Sequence, residues 1–452
     1  MTGASGYYLS GAFVFEADSW QGGLISALWN ISGDTFGVAL GINDNGLIVG
    51  GCWGPSTSSH AVLWQDGAAI DLGTLGGIMS EATAVNDQGQ VVGDGDTSSG
   101  VDEAFLWQNG IMTNLGALPG AITPAAGVAT SAAYAINNSG QVVGHSLTYG
   151  NINHAFLWQN GTMTDLGVLS AGSASYADAI NNQGQVVGYN TTASGVTHAF
   201  LWQNGRMADL GTLAGYSYSK AQSINSAGII VGEVGSSSLC HAVLWQNGTI
   251  IDLNGLLPAN SGWVLTDANS INDNDQVVGI GTHNGVSAPF QLTLNGSSLV
   301  SSMTAANFAQ VFQNGLLTSP VAVTDSAANV SLKMDVLQSA AAAHDLSSIV
   351  LTDSGTPTLT VGVSALTSDA SALGKISSGY NLSVAGTSAA NAASVATQAH
   401  VASVDVFDWA ANVRGNIDAL QSLVAAGKLA HIVLIDSGAT LSVSTTQLTG
   451  IM

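Results

Sequence analysis

The sequence predicts a mainly β protein, in which a β-propeller is followed by a small α/β solenoid-like repeat domain. Three observations predict this fold class. The phrase HAFLWQNGTMTDLG at 154–167 returns as HAFLWQNGRMADLG at 198–211, with looser copies elsewhere. A second phrase, AINNQGQVVG at 179–188, recurs in the same register with a period of about 40–50 residues. From about residue 320 a repeat with different wording and helical spacing takes over.

Each unit of the first repeat is interpreted as four antiparallel strands. AYAIN predicts a short strand, NNSGQ a turn whose Asn and Gly tolerate positive φ, and QVVGHS a second strand. HAFLWQ predicts a third strand, and NG predicts a hairpin turn before a fourth strand, TMTDLG. Four such strands in about 40–50 residues are typical of one blade of a β-propeller.

The propeller is expected to occupy residues 1–305. We count seven units, the first of them incomplete, and expect the ring to close with a strand from near residues 295–303; six blades are the alternative. A large ring stands at one strand position of every unit and is expected to fill the space between blades. These residues are Trp29, Trp64, Trp107, Trp158, Trp202, Trp245 and Phe290.

Histidine and aspartate also repeat in register. The histidines are His60, His154, His198 and His241, and the aspartates are Asp71, Asp165, Asp209 and Asp252. Because equal positions in successive blades lie too far apart to share one ion, we expect each pair to join strands within its blade by buried hydrogen bonds. The third unit has Glu103 and Asn114 instead, which suits hydrogen bonding better than catalysis.

One segment differs from the equivalent segments of the other repeat units and suggests the only predicted cofactor, calcium. GDGDTSSGVDE at 93–103 places Asp94, Asp96, Ser98 and Asp102 at the alternating spacing that can wrap oxygen ligands around Ca²⁺. Its glycine comes one position late and no terminal bidentate Glu follows, so a solvated loop is the alternative. No nucleophile elbow, phosphate-binding loop or zinc motif is present, and no catalytic residue is predicted.

The C-terminal third is predicted as a separate domain at 320–452, after a linker at 306–319. VTDSAANV at 323–330 returns as VFDWAANV at 406–413, and strand–helix alternation favours parallel strands with helices outside. One helix face is expected to contain Val413, Ile417, Leu420 and Val424. Asp325, Asp353, Asp408 and Asp436 are interpreted as caps at the strand ends.

The last repeat stops without a capping unit. Apolar atoms around Leu441, Val443, Leu448 and Ile451 are therefore expected to be partly exposed. An exposed parallel edge invites another chain to pair with it, so we expect this domain to dock onto a second copy of itself or another bacterial surface protein.

Composition excludes several partners. Lys and Arg number 6 against 29 Asp and Glu, a net charge of −23, which argues against nucleic acid and anionic membranes. No apolar run is long enough for membrane insertion. The first residues lack the basic and apolar regions of a classical signal peptide.

The phrases HAFLW, DLGTLGG and AINxxGQVVG resemble the HAF repeat of probable extracellular bacterial proteins, over residues 25–292. The C-terminal units resemble repeats in large secreted, adhesin-like bacterial proteins. These resemblances imply an extracellular or cell-surface location. The function hypothesis is therefore a non-enzymatic protein for binding or assembly, of the adhesion, matrix or surface-layer type, with glycans as further partners. The alternative is a polysaccharide-active propeller enzyme, either a glycoside hydrolase or a lyase.

Overall fold

The computed structural model describes residues 2–9, 12–21, 24–54, 57–121, 130–149, 151–169, 172–192, 195–236, 239–294, 300, 302–368, 370–436, 438 and 440–441. The chain forms two compact units, Met1–Ser297 and Ser298–Met452. The first unit is a six-bladed β-propeller, and each blade is a small antiparallel sheet of sequence-consecutive strands.

The strands of the blades follow the repeat phrases closely. Blade 1 is β4 Phe36–Ile42, β5 Ile48–Gly54, β6 Thr57–Gln65 and β7 Ala68–Asp71; blade 2 is β8 Gly76–Val85, β9 Val91–Thr97, β10 Asp102–Gln108 and β11 Ile111–Gly116. Blade 3 is β12 Ser131–Ile136, β13 Val142–Leu147, β14 Asn153–Gln159 and β15 Thr162–Asp165. Blade 4 is β16 Gly172–Ile180, β17 Val186–Thr192, β18 Thr197–Gln203 and β19 Arg206–Asp209. Blade 5 is β20 Tyr218–Ile224, β21 Ile230–Gly235, β22 Cys240–Gln246 and β23 Thr249–Asp252, and a 3₁₀ helix follows at Leu253–Leu256. Blade 6 has three strands, β24 Trp263–Ile271, β25 Gln276–His283 and β26 Val286–Thr293.

The blade count is six rather than the seven preferred from the sequence. The N-terminal strands β1 Thr2–Leu9, β2 Ala12–Gln21 and β3 Leu24–Leu28 form no separate blade, because β2 meets β4 and joins the sheet of blade 1. The strand expected to close the ring, near residues 295–303, lies mostly outside the described residues. Its described part, β27 Ser302–Met303, pairs with β28 of the second unit.

A ladder of asparagine side chains joins consecutive blades. The asparagine of each AIN phrase donates its Nδ2 hydrogen to the backbone oxygen of the next blade's asparagine. Asn86 donates in this way to Asn137 over 3.1 Å, and Asn137 donates to Asn181 over 3.0 Å. The Oδ1 atom of the same side chain accepts two N–H groups of its own turn, as Asn137 does from Ser139 and Gln141. The ladder therefore fixes both the turn and the spacing of the blades.

The space between blades is filled by the residue two positions before the repeated tryptophan. Phe105, Phe156 and Phe200 are fully buried. The tryptophans themselves are less uniform than predicted: Trp64 is 1% exposed whereas Trp29 is 70% exposed. Of the other tryptophans, Trp245 is buried and Trp107, Trp158 and Trp202 are half-buried, while Phe290 is buried. The phenylalanine and the tryptophan lie on the same face of the strand, because they are two positions apart, but the tryptophan stands next to the strand end and its hairpin turn.

The second unit contains parallel strands and short helices. Its strands are β27, β28 Val321–Asp325, β29 Leu346–Leu351, β30 Thr358–Gly362, β31 Asn381–Thr387, β32 Val401–Asp408 and β33 Leu429–Leu434. Its helices are α1 Ala305–Gln313, α2 Ala327–Leu332, α3 Met334–Ala342, α4 Ala365–Ser368, α5 Ala370–Leu373, α6 Ala392–Val395, α7 Ala410–Gly415 and α8 Ile417–Ala425. The strands form two parallel sheets, β27–β29 and β30–β33. The solenoid-like arrangement stays a prediction.

Two details of this unit differ from the sequence interpretation. The stretch at 306–319 contains most of α1 and belongs to the second unit. The predicted long helix is two helices separated at Asn416, whose φ of −118° breaks the helical register. Within α8 the buried face contains Ile417, Leu420 and Leu423, whereas Val424, which was expected there, is 47% exposed.

The four predicted caps do lie at strand ends. Asp353 accepts the N–H of Ala327 over 2.6 Å, at the start of α2. Asp408 accepts the N–H of Ala389 over 3.0 Å. Asp325 and Asp436 accept the N–H of Ala305 and Ala410 in the same way. Each carboxylate satisfies an N–H group at or next to the start of a helix, which stabilises both elements.

Candidate ligand-binding site on the inner strands

The repeated histidine and aspartate pairs join the third and fourth strands of four blades, as predicted. Nδ1 of His154 lies 2.9 Å from Oδ2 of Asp165, and Oδ1 of the same aspartate accepts the N–H of Gly167. The other pairs are His60–Asp71, His198–Asp209 and His241–Asp252, at 3.0, 2.8 and 2.7 Å. In blade 2, Asn114 donates to Glu103. The prediction that these bonds are buried was wrong, because the aspartates are 31–46% exposed.

A β-bulge interrupts the first strand of every blade at the same place. In blade 4 the register passes from Ala177 to Ala179, and Asp178 has no partner on β17. The bulged residues are Leu40, Thr83, Tyr134, Asp178, Gln222 and Asn269. Because a bulge turns the side chain away from its regular direction, it can bring that side chain towards the neighbouring blade. Thr83 shows this by donating from Oγ1 to the backbone oxygen of Ala133 over 2.8 Å.

The bulge also explains the glycine of the VVG phrase. A Cβ atom on Gly188 would lie 2.0 Å from the backbone oxygen of Tyr176, and one on Gly144 would lie 1.9 Å from that of Ala132. Such distances are far below van der Waals contact, so only glycine allows the first two strands to approach at this point.

Three residue positions around the bulge vary from blade to blade, although the sequence on either side of them repeats. They are the residue before the invariant alanine, the bulged residue, and the residue after the VVG glycine. We name their charged, amide and aromatic members in blades 2–6 the inner-strand array: Glu81, Asp94, Tyr134, His145, Tyr176, Asp178, Tyr189, Lys220, Gln222, Glu233, Asp267 and Asn269. The first strands of neighbouring blades contact one another, so the array runs continuously across five blades.

Aromatic rings form the centre of the array. The centroids of Tyr134 and His145 lie 5.3 Å apart, those of His145 and Tyr176 5.1 Å, and those of Tyr176 and Tyr189 4.9 Å. The middle contact joins blade 3 to blade 4. All four side chains are half-buried, and Nδ1 of His145 is buried without a hydrogen-bond partner among the described residues. A row of aromatic rings beside a ring nitrogen without a hydrogen-bond partner is suited to bind a ligand.

Amides and charges occupy one end of the array. Nζ of Lys220 lies 5.3 Å from the centroid of the Tyr189 ring, a cation–π distance. Gln222 donates to Asp267 over 2.6 Å, and Asn269 donates to Gln222 over 3.0 Å. These bonds join blade 5 to blade 6 and hold the amide groups in fixed orientations.

The carboxyl groups of the array are harder to ionise than free carboxyls. Burial raises the pKa of Asp94 to about 7, and the nearby charge of Glu81 adds to the effect. Burial also raises the pKa of Asp178 to about 7, against the opposing charge of Lys220. The pKa values of Glu81, Glu233 and Asp267 are raised mainly for the same reason.

Two neighbouring rings are affected by the same surroundings. Burial lowers the pKa of His145 to about 4, so its imidazole is neutral near pH 7. Burial raises the pKa of Tyr134 to about 12, and the charges of Asp178 and Asp94 add to the effect. The array therefore offers neutral donors, carboxyl groups and ring faces side by side.

A pocket adjoins the array between blades 4 and 5. Its volume is about 320 Å³, and it is lined by Gly195, Val196, Thr197, Ser217, Tyr218 and Lys220. The hydroxyl of Tyr218 lies 2.9 Å from Sγ of Cys240 and 3.4 Å from Oε2 of Glu233. Lys220 belongs to both the pocket and the array, so a ligand lying along the rings can reach into the pocket.

The predicted calcium segment is a tight hairpin in blade 2. Asp94 and Asp96 lie on β9, Asp102 lies opposite Asp96 on β10, and Ser98 is in the turn. Burial raises the pKa of Asp102 to about 6, with a contribution from Asp96. Among the described residues, no group of three or more His, Cys, Asp or Glu side chains is arranged to hold a metal ion. Calcium binding at this hairpin stays a prediction.

The predicted interface residues fall mostly outside the described residues. Leu441 is described and is 37% exposed, whereas Val443, Leu448 and Ile451 are not described. None of the described helices is both long and apolar enough to cross a membrane.

Sequence reasoning about repeats missed the inner-strand array, except for Asp94. The missing signal was variation: the phrases EATAVN, AYAIN, ADAIN and AQSIN differ most in chemistry at the bulged residue, which is Thr83, Tyr134, Asp178 or Gln222. A search for polar and aromatic residues at the varying positions of the repeat would have found Tyr134, Asp178 and Gln222.

Comparison with known families corrects the predicted resemblance. The family model that matches is a protein of unknown function (DUF3466), over residues 121–323, which is less than half of the chain. The HAF-repeat assignment was wrong, because the match is to this other family. A comparison with curated protein sequences finds no match.

Several solved β-propellers are similar to this chain in fold. The propeller domain of the Trilobed protease from Pyrococcus furiosus has a TM-score of 0.42 and 10% identity, over 64% of this chain and 90% of that one. TolB from Acinetobacter baumannii has a TM-score of 0.35 and 11% identity over 56% of this chain, which spans 61% of the TolB chain. Aleuria aurantia lectin, solved with Fucα1-6GlcNAc, has a TM-score of 0.30 and 14% identity over 56% of this chain and 90% of the lectin chain.

Proposed function

We propose that this protein is a non-enzymatic binding protein that holds a glycan along the inner-strand array. One observation carries the proposal: the rings of Tyr134, His145, Tyr176 and Tyr189 lie in a row with centroids 4.9–5.3 Å apart, flanked by carboxyl and amide groups. A sugar ring has an apolar C–H face that packs on aromatic rings and hydroxyl groups that bond to carboxyls and amides. The array supplies both kinds of partner.

A panel of glycans tests this function. We expect a saccharide to bind and to be recovered unchanged, and Tyr189→Ala to weaken binding by about tenfold, since one stacked ring is worth on the order of 1 kcal/mol. Tyr149→Ala is the matched control, because that tyrosine is 85% exposed and lies outside the array. Equal losses in both variants, or no binding by the intact protein, would contradict the proposal.

A second candidate function is cleavage of a polysaccharide. It is favoured by Asp94 and Asp178, whose pKa values of about 7 allow a carboxyl group to donate a proton near neutral pH. The same panel separates the two functions, since cleaved product indicates an enzyme. In that case Asp178→Asn is expected to abolish cleavage while binding remains.

The proposal places assembly in the second unit, through pairing with a second copy. β33 is hydrogen-bonded only to β32 among the described strands, and its edge carries exposed apolar side chains. Ile432 and Val433 on this strand are 37 and 39% exposed, and Ile435 and Leu441, which follow it in the chain, are 50 and 37% exposed. Light scattering tests this, with Val433→Lys expected to abolish the dimer because a charge on an edge strand opposes pairing. A monomeric wild type at tens of micromolar would overturn it.

An extracellular or cell-surface location completes the proposal. A net charge of −23 with only 6 Lys and Arg supports a protein that stays soluble and away from anionic surfaces. Cell fractionation with an antibody against the chain tests the location, and recovery from the cytosol alone would contradict it.

A further inference from the structure

The inner-strand array contains five carboxyl groups and only one Lys or Arg side chain, Lys220. Within residues 1–297 the sequence has only two cationic side chains of the Lys or Arg type, Arg206 and Lys220. Arg206 lies on β19, the outermost strand of blade 4. Lys220 is the cation near Asp178, Glu233 and Asp267. The array therefore contains more carboxyl groups than the chain itself can neutralise.

The contacts of Lys220 show which groups of the array interact with a cation. Its ammonium group lies over the Tyr189 ring and close enough to Asp178 to oppose the rise of that carboxyl's pKa. Ring faces attract cations because their π-electrons are negative, and the attraction grows when water is excluded.

The other half of the array repeats these surroundings without a lysine. Tyr134 lies on β12, which contacts β9, the strand of Asp94, and β16, the strand of Asp178. Its ring contacts His145, which in turn contacts Tyr176. No Lys or Arg of the described residues affects Asp94, whose charged neighbours are Glu81, Asp102 and Asp96. Nδ1 of His145 is buried here without a partner in the described part of the chain. The arrangement is complete except for a positive group.

We propose that the bound glycan carries a free amino group, which lies against Tyr134 between Asp94 and Asp178. The inference rests on the proposed function and narrows it to amine-bearing sugars. An ammonium group has three hydrogens to donate, which suits two carboxyl groups at once. The adjacent sugar ring then lies along His145, Tyr176 and Tyr189.

A pair of oligosaccharides of equal length tests the inference. Calorimetry compares a glucosamine tetramer with an N-acetylglucosamine tetramer at about pH 7 and again at about pH 8, so that the two carboxyl groups, whose pKa values are about 7, are ionised in a large part of the molecules. We expect the glucosamine tetramer to bind at least about tenfold more tightly, because a hydrogen bond to a charged group is worth on the order of 1.5–3 kcal/mol. Spermidine serves as an amine without a sugar and is expected to bind much more weakly than the tetramer.

Variants of two aspartates test where the amino group of the glucosamine tetramer binds. Asp94→Asn and Asp178→Asn should each bring the ratio of the two affinities close to one while the acetylated tetramer still binds. Asp165→Asn is the control, because this carboxyl belongs to a histidine pair on the outer strands and should leave the ratio unchanged. Circular dichroism of each variant confirms that it is folded.

The outcomes separate this inference from the proposed function. Equal affinity of the two tetramers overturns the inference that the glycan carries a free amino group, and leaves the proposal of glycan binding intact. Binding of neither tetramer overturns both. If spermidine binds as tightly as the glucosamine tetramer, the proposal that the ligand is a glycan is overturned, and the array is a site for amines. A preference that survives in both aspartate variants overturns the assigned position.

Discussion

The outer hairpins and the inner strands of the same blades follow opposite patterns. The outer hairpins repeat their chemistry, with a histidine on the third strand bound to an aspartate on the fourth in four of the blades. The inner strands repeat their backbone, including a bulge and a close-packed glycine, but change the side chains at the bulge from Leu40 to Asn269. Repeated residues therefore mark the scaffold, and varied residues at a repeated position mark the site.

The largest expected effect tests whether the scaffold depends on the buried ring or on the tryptophan. Phe156→Ala should lower the free energy of unfolding by about 3–5 kcal/mol, because its ring is fully buried between blades. Trp158→Ala should cost less, since that side chain is only half-buried. Urea unfolding of both variants checks this, and a larger loss for Trp158→Ala would reverse the assignment of the core residue.

The next effect tests the backbone that the inner strands share. Gly188→Ala should destabilise the protein by about 1–3 kcal/mol or more, because the added Cβ would lie 2.0 Å from the Tyr176 oxygen. Gly255→Ala is the matched control, since a Cβ there meets no atom within 4 Å. Thermal unfolding compares the two, and equal stability of both variants would mean that the bulge does not hold the strands so close.

The pH dependence tests the varied side chains. Burial raises the pKa of Asp178 from 3.8 to about 7, so the folded state binds this proton more tightly and the free energy of unfolding falls as pH rises through that range. Burial lowers the pKa of His145 from 6.5 to about 4, so the folded state favours the neutral imidazole. The stability that this group contributes is therefore lost as pH falls through that range. The other buried carboxyls, Asp94, Glu81, Glu233 and Asp267, follow Asp178.

Asp178→Asn should therefore stabilise the protein at about pH 8, by on the order of 1–3 kcal/mol, and change little at about pH 4. The melting temperature of wild type and variant at both pH values checks this. A variant that is less stable than the wild type at pH 8 would show that Lys220 outweighs the burial of the carboxyl group.

The smallest effect is expected in the outer hairpins. His154→Ala should cost less than about 1 kcal/mol, because Asp165 is 43% exposed and water screens the pair. Chemical unfolding measures the difference. A loss as large as that of Phe156→Ala would show that the repeated pairs, rather than the buried rings, hold the blades together.

The strands and turns could be predicted because they depend on local phrases. QVVG and HAFLWQ predicted the second and third strands of most blades, and the Asn–Gly turns adopt the expected positive φ, as at Asn160 with φ of 51°. The blade count could not be settled, because it depends on whether β2 pairs with blade 1 or stands alone, and that is a long-range contact.

The site was hidden for a related reason. Tyr134 and His145 belong to one blade, but Tyr176 reaches them from the next one, and the bulge at Ala133–Ala135 leaves no mark in the residue pattern. Hydrophobic alternation predicts a regular strand, in which Tyr134 would face a cross-strand partner. The true direction of its side chain depends on backbone geometry that only the assembled sheet determines.

The asparagine ladder also bears on how such a chain can change over generations. Asn137 donates to a main-chain oxygen of the following blade, a group that every residue possesses, so the junction does not depend on the identity of its neighbour. A duplicated or deleted unit can therefore be accepted at any junction with little adjustment of its neighbours. The inner-strand array can therefore gain or lose members by whole units, while single substitutions at the bulges change the side chains within one unit.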